Sequence, residues 1–250
     1  GELGNSFIFN QPALHLILQR VPATLELAFA ALAMALVIGI PLGVYAGLKP
    51  NGWLSKSIMT FSILGFSLPT FWIGLVMIMV FSVQLGWLPS SGRGDTVDVL
   101  GVPISLFTLD GLSHIALPAF NLALFKISLV IRITRAGVLE TMQLDFVRFA
   151  RAKGIPDRRI VLVHVLKNTL IPLITVIGLE LGSLIAFAVV TETIFAWPGM
   201  GKLIIDSIAV LDRPVILAYL MITVVMFSVI NLAVDILYSV VDPRVRLEGN

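Results

Sequence analysis

Residues 22–48 read PATLELAFAALAMALVIGIPLGVYAGL, and Glu26 is the one charged side chain in this run. A helix that crosses the hydrocarbon layer needs about 20 mostly apolar residues, because each residue adds about 1.5 Å against a thickness of roughly 30 Å. The run does not alternate between apolar and polar residues, as a strand of a membrane barrel would. The stretch therefore predicts a membrane-spanning helix.

The composition of the whole chain agrees with a membrane protein. Hydrophobic residues make up 58%, charged residues 13%, and the mean hydropathy is +1.00. A soluble domain carries about 25% charged residues, so this chain lacks the polar surface that a soluble fold requires. The net charge of +2 is too small to indicate nucleic-acid binding, and the absence of Cys excludes disulfides and thiolate metal sites. We predict an all-α, polytopic membrane helix bundle.

Five apolar windows are long enough to cross a membrane, and they fill one domain without internal repeats. The predicted spans are 22–48, 58–85, 112–137, 169–191 and 214–241. The polar links between them contain turn residues such as the KPNG of residues 49–52. The sequence thus predicts a single transmembrane domain over residues 1–250.

Lys and Arg residues are distributed unevenly between the links. The link 142–168 carries six of them, the short first link carries Lys49 and Lys56, and the loop 86–111 has Arg93 alone. Basic links stay in the cytoplasm, so the first link, link 142–168 and the C-terminal tail with Arg244 and Arg246 are predicted to be cytoplasmic. Five spans then place the N-terminus outside, and we expect a further span upstream of Gly1.

The link 142–168 contains the most basic segment of the chain, RFARAKGIPDRR at residues 148–159. Asp145 can serve as an N-cap for a short helix over residues 146–153. Gly154 suits the C′ position, and Pro156 prevents the helix from continuing.

The side chains of this predicted helix divide into two faces. Phe146, Phe149 and Ala150 lie near one face, and Arg148 and Arg151 lie on another. The basic residues are explained equally well by attraction to anionic lipid and by docking into a groove of a partner protein. The residues alone leave these two interpretations open.

The sequence from Asp145, DFVRFARAKGIPDRRIVLVHVLKNTLIPLITVIGLELG, closely resembles the cytoplasmic signature loop of ABC importer permeases. It is most similar to the dipeptide/oligopeptide/nickel branch. The resemblance continues through VVTETIFAWPGMGKLIIDSI and NLAVDILYSVVDPRVR, and earlier through GELGNSF, RVPATLELA and LPTFWIGL. It departs from the general pattern at Arg148, where an acidic residue is absent, and at Pro172, which comes late.

This resemblance implies a type I ABC importer permease fold and a coupling helix that sits in a cleft of a cytoplasmic ATPase subunit. The residues implied for ATPase coupling are Phe146, Arg148, Phe149, Ala150, Arg151, Ala152, Lys153 and Gly154. The implied partners are a second homologous permease subunit, two ATPase subunits and an extracytoplasmic solute-binding protein, in the inner membrane of a prokaryote. ATP and Mg belong to the ATPase subunits, and this chain is implied to be neither an enzyme nor a cofactor-binding protein.

The branch also implies import of dipeptides or oligopeptides, with glutathione and chelated nickel as alternatives. The competing class is an ion-coupled secondary transporter, which would place coupled carboxylates near the middle of the membrane. A structural scaffold would carry no solute at all. Co-purification of an ATPase would separate these classes.

Two further motifs do not support binding chemistry. The segment AWPGMGKL has Ala196 and Leu203 where a phosphate-binding loop needs Gly and a hydroxyl residue. His15, His114 and His164 are scattered, without the spacing of metal ligands. Nucleotide binding and metal binding by this chain are therefore not predicted.

Charged residues within the spans are candidates for the translocation pathway, because a charge in the bilayer normally faces protein or water. Lys126 and Glu180 lie deep in the third and fourth spans and are predicted to form a pair, either along the pathway or as a structural bond between helices. Glu26 and Glu192 lie near span ends, where snorkelling or loop bonding is expected. Asp235 is a further charged residue, in the fifth span.

Two more features leave a structural and a functional interpretation open. Phe195, Trp197 and Pro198 form an aromatic turn that suits the membrane interface, a gate or contact with a binding protein. Small residues recur every four positions at Gly39, Gly43 and Gly47, and again at Gly178, Gly182 and Ala186. Such stripes indicate close helix packing, within this chain or against a second subunit.

Overall fold

Long helices form over the apolar runs in the computed structural model of the protein. It describes residues 3–241, except for the side chains of residues 66, 171, 172, 175, 179, 235 and 237–241. The side chain of Asp235 and the tail residues Arg244 and Arg246 therefore lie outside the described part. The helices are α1 (Ala13–Leu48), α2 (Trp53–Ser67), α3 (Thr70–Met77), α4 (Leu109–Thr141), α5 (Asp145–Ala152), α6 (Asp157–Arg159), α7 (Leu166–Ile194), α8 (Met200–Ala209) and α9 (Arg213–Val241).

Two π-helical turns and one small hairpin complete the described structure. The π-helical turn Ile78–Gln84 extends α3, and a second one, Ile160–Val165, joins α6 to α7. Strands β1 (Val97–Val99) and β2 (Val102–Ile104) pair antiparallel, with Val97 opposite Ile104. Leu100 and Gly101 connect them with positive φ angles of 56° and 82°, as a tight hairpin turn requires.

Four helices within the described residues are long and apolar enough to cross a membrane. These are Ala13–Leu48, Leu109–Thr141, Val176–Ile194 and Arg213–Val234. The second predicted span differs from the sequence expectation of one continuous helix, because it is divided into α2 and α3, which meet in a sharp bend. Pro69 explains the break, since it lacks an N–H group and holds the residue before it, Leu68, away from helical geometry.

The helices also extend further than the predicted spans. α1 begins at Ala13 instead of Pro22, and α4 covers Leu109–Thr141 instead of residues 112–137. Pro118 is accommodated inside α4. Hydropathy locates only the apolar part of a helix, so polar turns at either end were omitted from the prediction.

The chain divides into two compact units. The first contains the residues up to Leu32 together with Leu68–Ala123 and Leu181–Asn231. One cluster of its core lies between α1, α8 and α9, and a second lies between α3, α4 and the end of α7. The buried members of the first cluster are Ala13, Leu16, Ile17, Met200, Leu203, Val215 and Ala218. The buried members of the second cluster are Met77, Leu117 and Phe195.

The second unit contains Ala33–Ser67, Leu124–Glu180 and the chain from Leu232 onward. Within it α1 packs closely on α4, because Gly39, Gly43 and Gly47 face Val130, Thr134 and Val138 in turn. A separate cluster holds the link helix α5, and its buried members are Val138, Val147, Ala150, Ile160 and Val165. The first glycine stripe thus serves packing within this chain.

Candidate functional sites

Helix α5 lies in the basic link and is closed at its C-terminus as the sequence predicts. The N–H of Gly154 donates to the carbonyl of Arg151 at 2.9 Å, and the N–H of Ile155 donates to the carbonyl of Ala150 at 3.1 Å. With Gly154 at a φ of 77°, this is the Schellman arrangement. The helix therefore ends at a defined residue.

The N-terminus of α5 differs from the prediction. The helix starts at Asp145, the capping position is Leu144, and no side chain caps the first turn. Asp145 instead lies 3.4 Å from Arg148 in an exposed ion pair, and its charge at the helix N-terminus is favourable without a capping bond. The prediction of Asp145 as the N-cap was wrong.

The buried face of α5 consists of Val147 and Ala150, which are three positions apart and so lie on one side of the helix. Phe146 is 38% exposed and touches His164 edge-on, and Phe149 is 65% exposed. The predicted apolar face of Phe146, Phe149 and Ala150 is therefore buried only at Ala150, and Val147 is the second buried residue. Val147 anchors the helix, and the Phe149 ring is left on its surface.

One cation lies over the exposed Phe149 ring, and further basic residues are exposed on α5. The Nζ of Lys153 lies 4.9 Å from the ring centroid, and Arg148 is exposed one position before Phe149. Arg151 donates to the carboxylate of Asp157 at 3.0 Å. Ala152 and Gly154 are exposed as well. The surface of α5 thus presents one aromatic ring among positive charges.

A cavity of about 530 Å³ lies next to this surface within the second unit. Its walls come from the end of α1, the start of the link and the π-helical turn. The lining residues are Leu48, Lys49, Met142, Arg151, Asp157, Arg158, Val161 and Leu162. Both charged and apolar side chains therefore face this open space.

Lys126 of α4 and Glu180 of α7 form an ion pair, as the sequence predicts. The side chain of Lys126 is 7% exposed and that of Glu180 is 27% exposed. The Lys126 Nζ also lies 5.3 Å from the centroid of the Phe125 ring. Partial exposure of Glu180 leaves one side of the pair accessible.

Glu26 of α1 is buried and binds the loop that carries the hairpin. Its Oε2 accepts from the Arg93 Nε at 3.0 Å and from the Arg93 Nη2 at 2.6 Å. Its Oε1 accepts from the Ser105 N–H at 2.6 Å, the Ser105 hydroxyl at 2.9 Å and the Leu106 N–H at 2.8 Å. Of the two roles considered for Glu26, loop bonding is therefore confirmed and snorkelling is not.

Glu192 at the end of α7 is also buried, and it organises the start of α8. It accepts from the Thr24 hydroxyl at 2.6 Å and from the Lys202 N–H at 3.0 Å. The Thr24 oxygen accepts in turn from the Met200 N–H at 2.8 Å. Gly199 is required beside them, because a Cβ there would collide with the Glu192 carboxylate.

The aromatic turn lies in the interior of the first unit. Phe195 is 1% exposed and Trp197 is 0% exposed, whereas Pro198 is partly exposed. The Trp197 Nε1–H donates to the carbonyl of Ala23 at 2.8 Å, and the Arg93 guanidinium lies 5.9 Å from the Trp197 ring centroid. In this conformation the two rings do not form an exposed surface, and they connect α1 to the end of α7.

The partners of the two buried carboxylates, Glu26 and Glu192, were not identified as a group from the sequence. Arg93 stood out only as the single basic residue of its loop, and Thr24 and Ser105 gave no signal. The three His residues lie apart in the described structure, where no group of three or more His, Asp or Glu side chains has the geometry of a metal site.

A family model described as "Binding-protein-dependent transport system inner membrane component" matches residues 39–247. The chain belongs to this family. Membership establishes it as an inner-membrane component, and the predictions of an importer permease and of its family are confirmed.

Curated relatives of this permease carry names from peptide transport. It is 42% identical to the di/tripeptide transport system permease protein DppB of Pseudomonas aeruginosa, over 98% of this chain and 77% of that protein. It is 42% identical to the probable D,D-dipeptide transport system permease protein DdpB of Escherichia coli, over 100% and 77%. The oligopeptide transport system permease protein AppB of Bacillus subtilis is 42% identical, over 98% and 76%.

Solved structures confirm the predicted fold. The permease superposes on a chain of the inward-facing MetNI methionine ABC transporter with a TM-score of 0.72 at 20% identity, over 91% of this chain and 97% of that chain. An amino acid ABC transporter with histidines gives a TM-score of 0.62 at 14% identity, over 90% and 93%. The chain has the fold of type I ABC importer permeases.

Proposed function

We propose that this permease subunit serves an ATP-driven, binding-protein-dependent importer of dipeptides or oligopeptides. The support for the substrate class is that its relatives at 42% identity are permeases of di/tripeptide, D,D-dipeptide and oligopeptide systems. None of these three is named for glutathione or nickel. A second permease subunit and an extracytoplasmic binding protein complete the proposed pathway.

In this proposal, one of the two ATPase subunits docks on the α5 surface of this chain in the cytoplasm, with ATP and Mg held by the ATPase subunits. The observation that carries the proposal is the Phe149 ring, which is 65% exposed. The helix that presents this ring is held in place by Val147 and Ala150, which are buried in a core cluster. Aromatic and Arg side chains dominate the energy of protein interfaces. Phe149 beside Arg148 and Lys153 combines an exposed aromatic ring with an Arg side chain, which is the composition of such interfaces.

The buried face of α5 explains how force from an ATPase reaches the spans. Val147 and Ala150 share one core cluster with Val138 of α4 and Val165 at the start of α7. A displacement of α5 therefore moves the ends of both helices. The permease supplies two conformations with different access to the pathway, and nucleotide binding by the ATPases changes their populations.

The coupling proposal is tested by truncating Phe149 and a matched exposed ring. Phe149→Ala removes the proposed contact, and Phe187→Ala removes a ring of α7 that is 68% exposed. A central interface residue contributes about 2 kcal/mol or more, so ATPase affinity should fall by about 30-fold or more for Phe149→Ala only. Pull-down of the ATPase with tagged permease and peptide uptake are measured. Normal ATPase recovery with Phe149→Ala would contradict the docking site.

The pair of Lys126 and Glu180 is proposed to line the pathway. Its support is that both charges lie inside long apolar helices while Glu180 keeps 27% of its side chain exposed. Lys126→Glu combined with Glu180→Lys keeps an ion pair but exchanges the positions of the charges. We expect normal assembly with at least several-fold slower uptake. Unchanged uptake would identify the pair as a structural bond between helices.

The aromatic turn is proposed to act as a gate element. The burial of Phe195 and Trp197 supports this role more than direct contact with the binding protein. Pro198, partly exposed, remains the member of the turn that a partner can reach from outside.

A further inference from the structure

Residues 7–9, Phe-Ile-Phe, form the tip of a tight turn before α1, and we refer to them as the apolar tip. The turn is closed by a bridge between Asn5 and Pro12 and by the Ser6 N–H, which donates to the Gln11 carbonyl at 2.9 Å. The three side chains are 68%, 53% and 48% exposed in chain order. Three consecutive large apolar side chains are thus presented outward by an ordered backbone.

Buried polar bonds fix this turn to the residue before α9. Ser6 and Asp212 are 2% and 1% exposed, and the Ser6 hydroxyl donates to the Asp212 carboxylate. The Phe7 N–H donates to the Asp212 Oδ1 at 3.3 Å. The Ser6 oxygen accepts from the N–H groups of Ile8 and Phe9 at 3.2 and 2.9 Å. The hydrogen bonds of Ser6 and Asp212 therefore hold the apolar tip in its exposed position.

The position of Asp212 defines the depth of the apolar tip. The apolar stretch Arg213–Val234, long enough to cross a membrane, starts at the next residue. The apolar tip is therefore bonded to the residue that directly precedes one end of this candidate span. Aromatic side chains are enriched at this level of membrane proteins.

The two residues before Asp212 are also large, apolar and exposed. Val210 is 53% exposed and Leu211 is 71% exposed. Leu211 has a φ of 57°, a left-handed conformation that Gly or Asn would adopt with less strain. Arg213, which follows Asp212, is exposed and suits contact with lipid phosphate.

We propose that the apolar tip, together with Val210 and Leu211, is an interfacial anchor that inserts into the lipid leaflet at the N-terminal end of α9. Arg213 contacts the lipid phosphates, and Arg20 lies in a cleft with Phe9 that is also lined by the ion pair of Lys202 and Asp206. The anchor holds the ends of α1, α8 and α9 at a fixed depth. The inference rests on membrane insertion of α9 and is independent of the transported solute.

Spin-label accessibility tests this anchor, because the chain contains no Cys. Phe7→Cys and Leu100→Cys are labelled separately with a nitroxide in the assembled transporter in lipid nanodiscs, and the signal of the unsubstituted complex is subtracted. Leu100 is the matched control, since it is an apolar residue at a loop tip and is 100% exposed. Collision rates with lipid-soluble oxygen and with a water-soluble nickel chelate are measured.

We expect the oxygen-to-nickel ratio at Phe7→Cys to be several-fold higher than at Leu100→Cys. Equal ratios would overturn the anchor, because the tip would then lie in water. A label that neither reagent reaches would also overturn it, because a protein surface would then cover the tip.

A second variant tests the bonding that sets the depth. Ser6→Ala removes the hydroxyl that donates to Asp212, so the ratio at Phe7→Cys should fall toward that of Leu100→Cys. An unchanged ratio would contradict the role of this bond. Absence of peptide uptake by the unsubstituted transporter, with the expected ratio at Phe7→Cys, would count against the proposed substrate and not against the anchor.

Discussion

Glu26 shows how one buried carboxylate connects distant parts of this permease. Its side chain is 5% exposed, and it accepts hydrogen bonds from Arg93, Ser105 and Leu106. A buried charge is tolerated only when it is paired and hydrogen-bonded, and both conditions are met here. The hairpin loop is thereby held to α1.

Replacing Arg93 should destabilise the permease strongly. Arg93→Gln leaves the Glu26 charge buried without its ionic partner, a loss expected to cost about 3–5 kcal/mol. Lys202→Gln is the control, because the Lys202–Asp206 pair is exposed and contributes less than about 1 kcal/mol. The melting temperature of the assembled transporter in detergent reports both changes.

The same measurement separates an ionic role of Arg93 from a steric one. Adding Glu26→Gln to Arg93→Gln removes the unpaired charge, so the double variant should melt at a higher temperature than the single one. If Arg93→Gln lowers the melting temperature no more than Lys202→Gln does, the electrostatic explanation is wrong.

The sequence predicts individual charged residues in the spans better than it predicts their partners. The Lys126–Glu180 pair was predicted because both residues interrupt long apolar runs. Glu26 was placed near a span end, but its partners are 67 to 80 positions away and follow no local spacing. Such contacts depend on how helices pack, which a single sequence does not reveal.

The first glycine stripe is a packing element between α1 and α4. A Cβ at Gly43 would lie 2.6 Å from the Thr134 Cβ and 2.8 Å from the Ile131 carbonyl oxygen. The latter atom belongs to the backbone and cannot move without displacing α4. Small residues at this spacing let the two helices approach where the hydrophobic effect gives no drive for association in lipid.

Gly43→Ala should therefore destabilise the permease, by about 1–3 kcal/mol for overpacking. Gly65→Ala is the matched control within a helix, because its Cβ would meet only the Ser128 Oγ, at 3.2 Å, and that side chain can rotate. Melting temperatures of the two variants in detergent are compared. An equal loss of stability at both positions would contradict the close approach of Gly43 to the α4 backbone as the cause, because Gly→Ala in a helix is otherwise stabilising.

The C-terminus of a helix was predicted correctly where a nearby Gly or Pro determines it, and was missed where tertiary contacts determine it. Gly154 and Pro156 correctly ended α5. Helix α7, however, ends with Ala196 at a φ of 45°, and the Trp197 N–H donates to the Glu192 carbonyl at 2.8 Å as in a Schellman motif. Without a glycine this end carried no sequence signal, and the buried Trp197 stabilises it through tertiary contacts.

At the scale of the whole molecule, hydropathy predicted the membrane helices but not the path of the chain between them. Four described helices satisfy the length and composition of a span, and the α2–α3 pair does so only as a bent unit. Pro69 was visible in the sequence, yet its effect on a membrane helix depends on whether neighbouring helices satisfy the freed backbone groups. The number of crossings therefore depends on this pair.

The topology can be determined by finding on which side of the membrane each of three exposed residues lies: Asn51, Leu100 and Gln143. Leu100 lies in the hairpin before α4 and Gln143 lies in the link after it, so one crossing by α4 separates them. Asn51 lies in the link between α1 and α2. If the α2–α3 pair crosses the membrane, Asn51 shares the cytoplasmic side with Gln143, and if the pair is re-entrant, Asn51 shares the outer side with Leu100.

Single Cys variants test this arrangement, since residues 1–250 contain no Cys that would react with a thiol reagent. We expect a membrane-impermeant maleimide to label Leu100→Cys in intact cells and to label Gln143→Cys and Asn51→Cys only after permeabilisation. Labelling of Asn51→Cys from outside would reduce the five proposed spans to four and make the α2–α3 pair re-entrant. Labelling of Gln143→Cys from outside would reverse the orientation, and α5 would then be out of reach of any cytoplasmic ATPase.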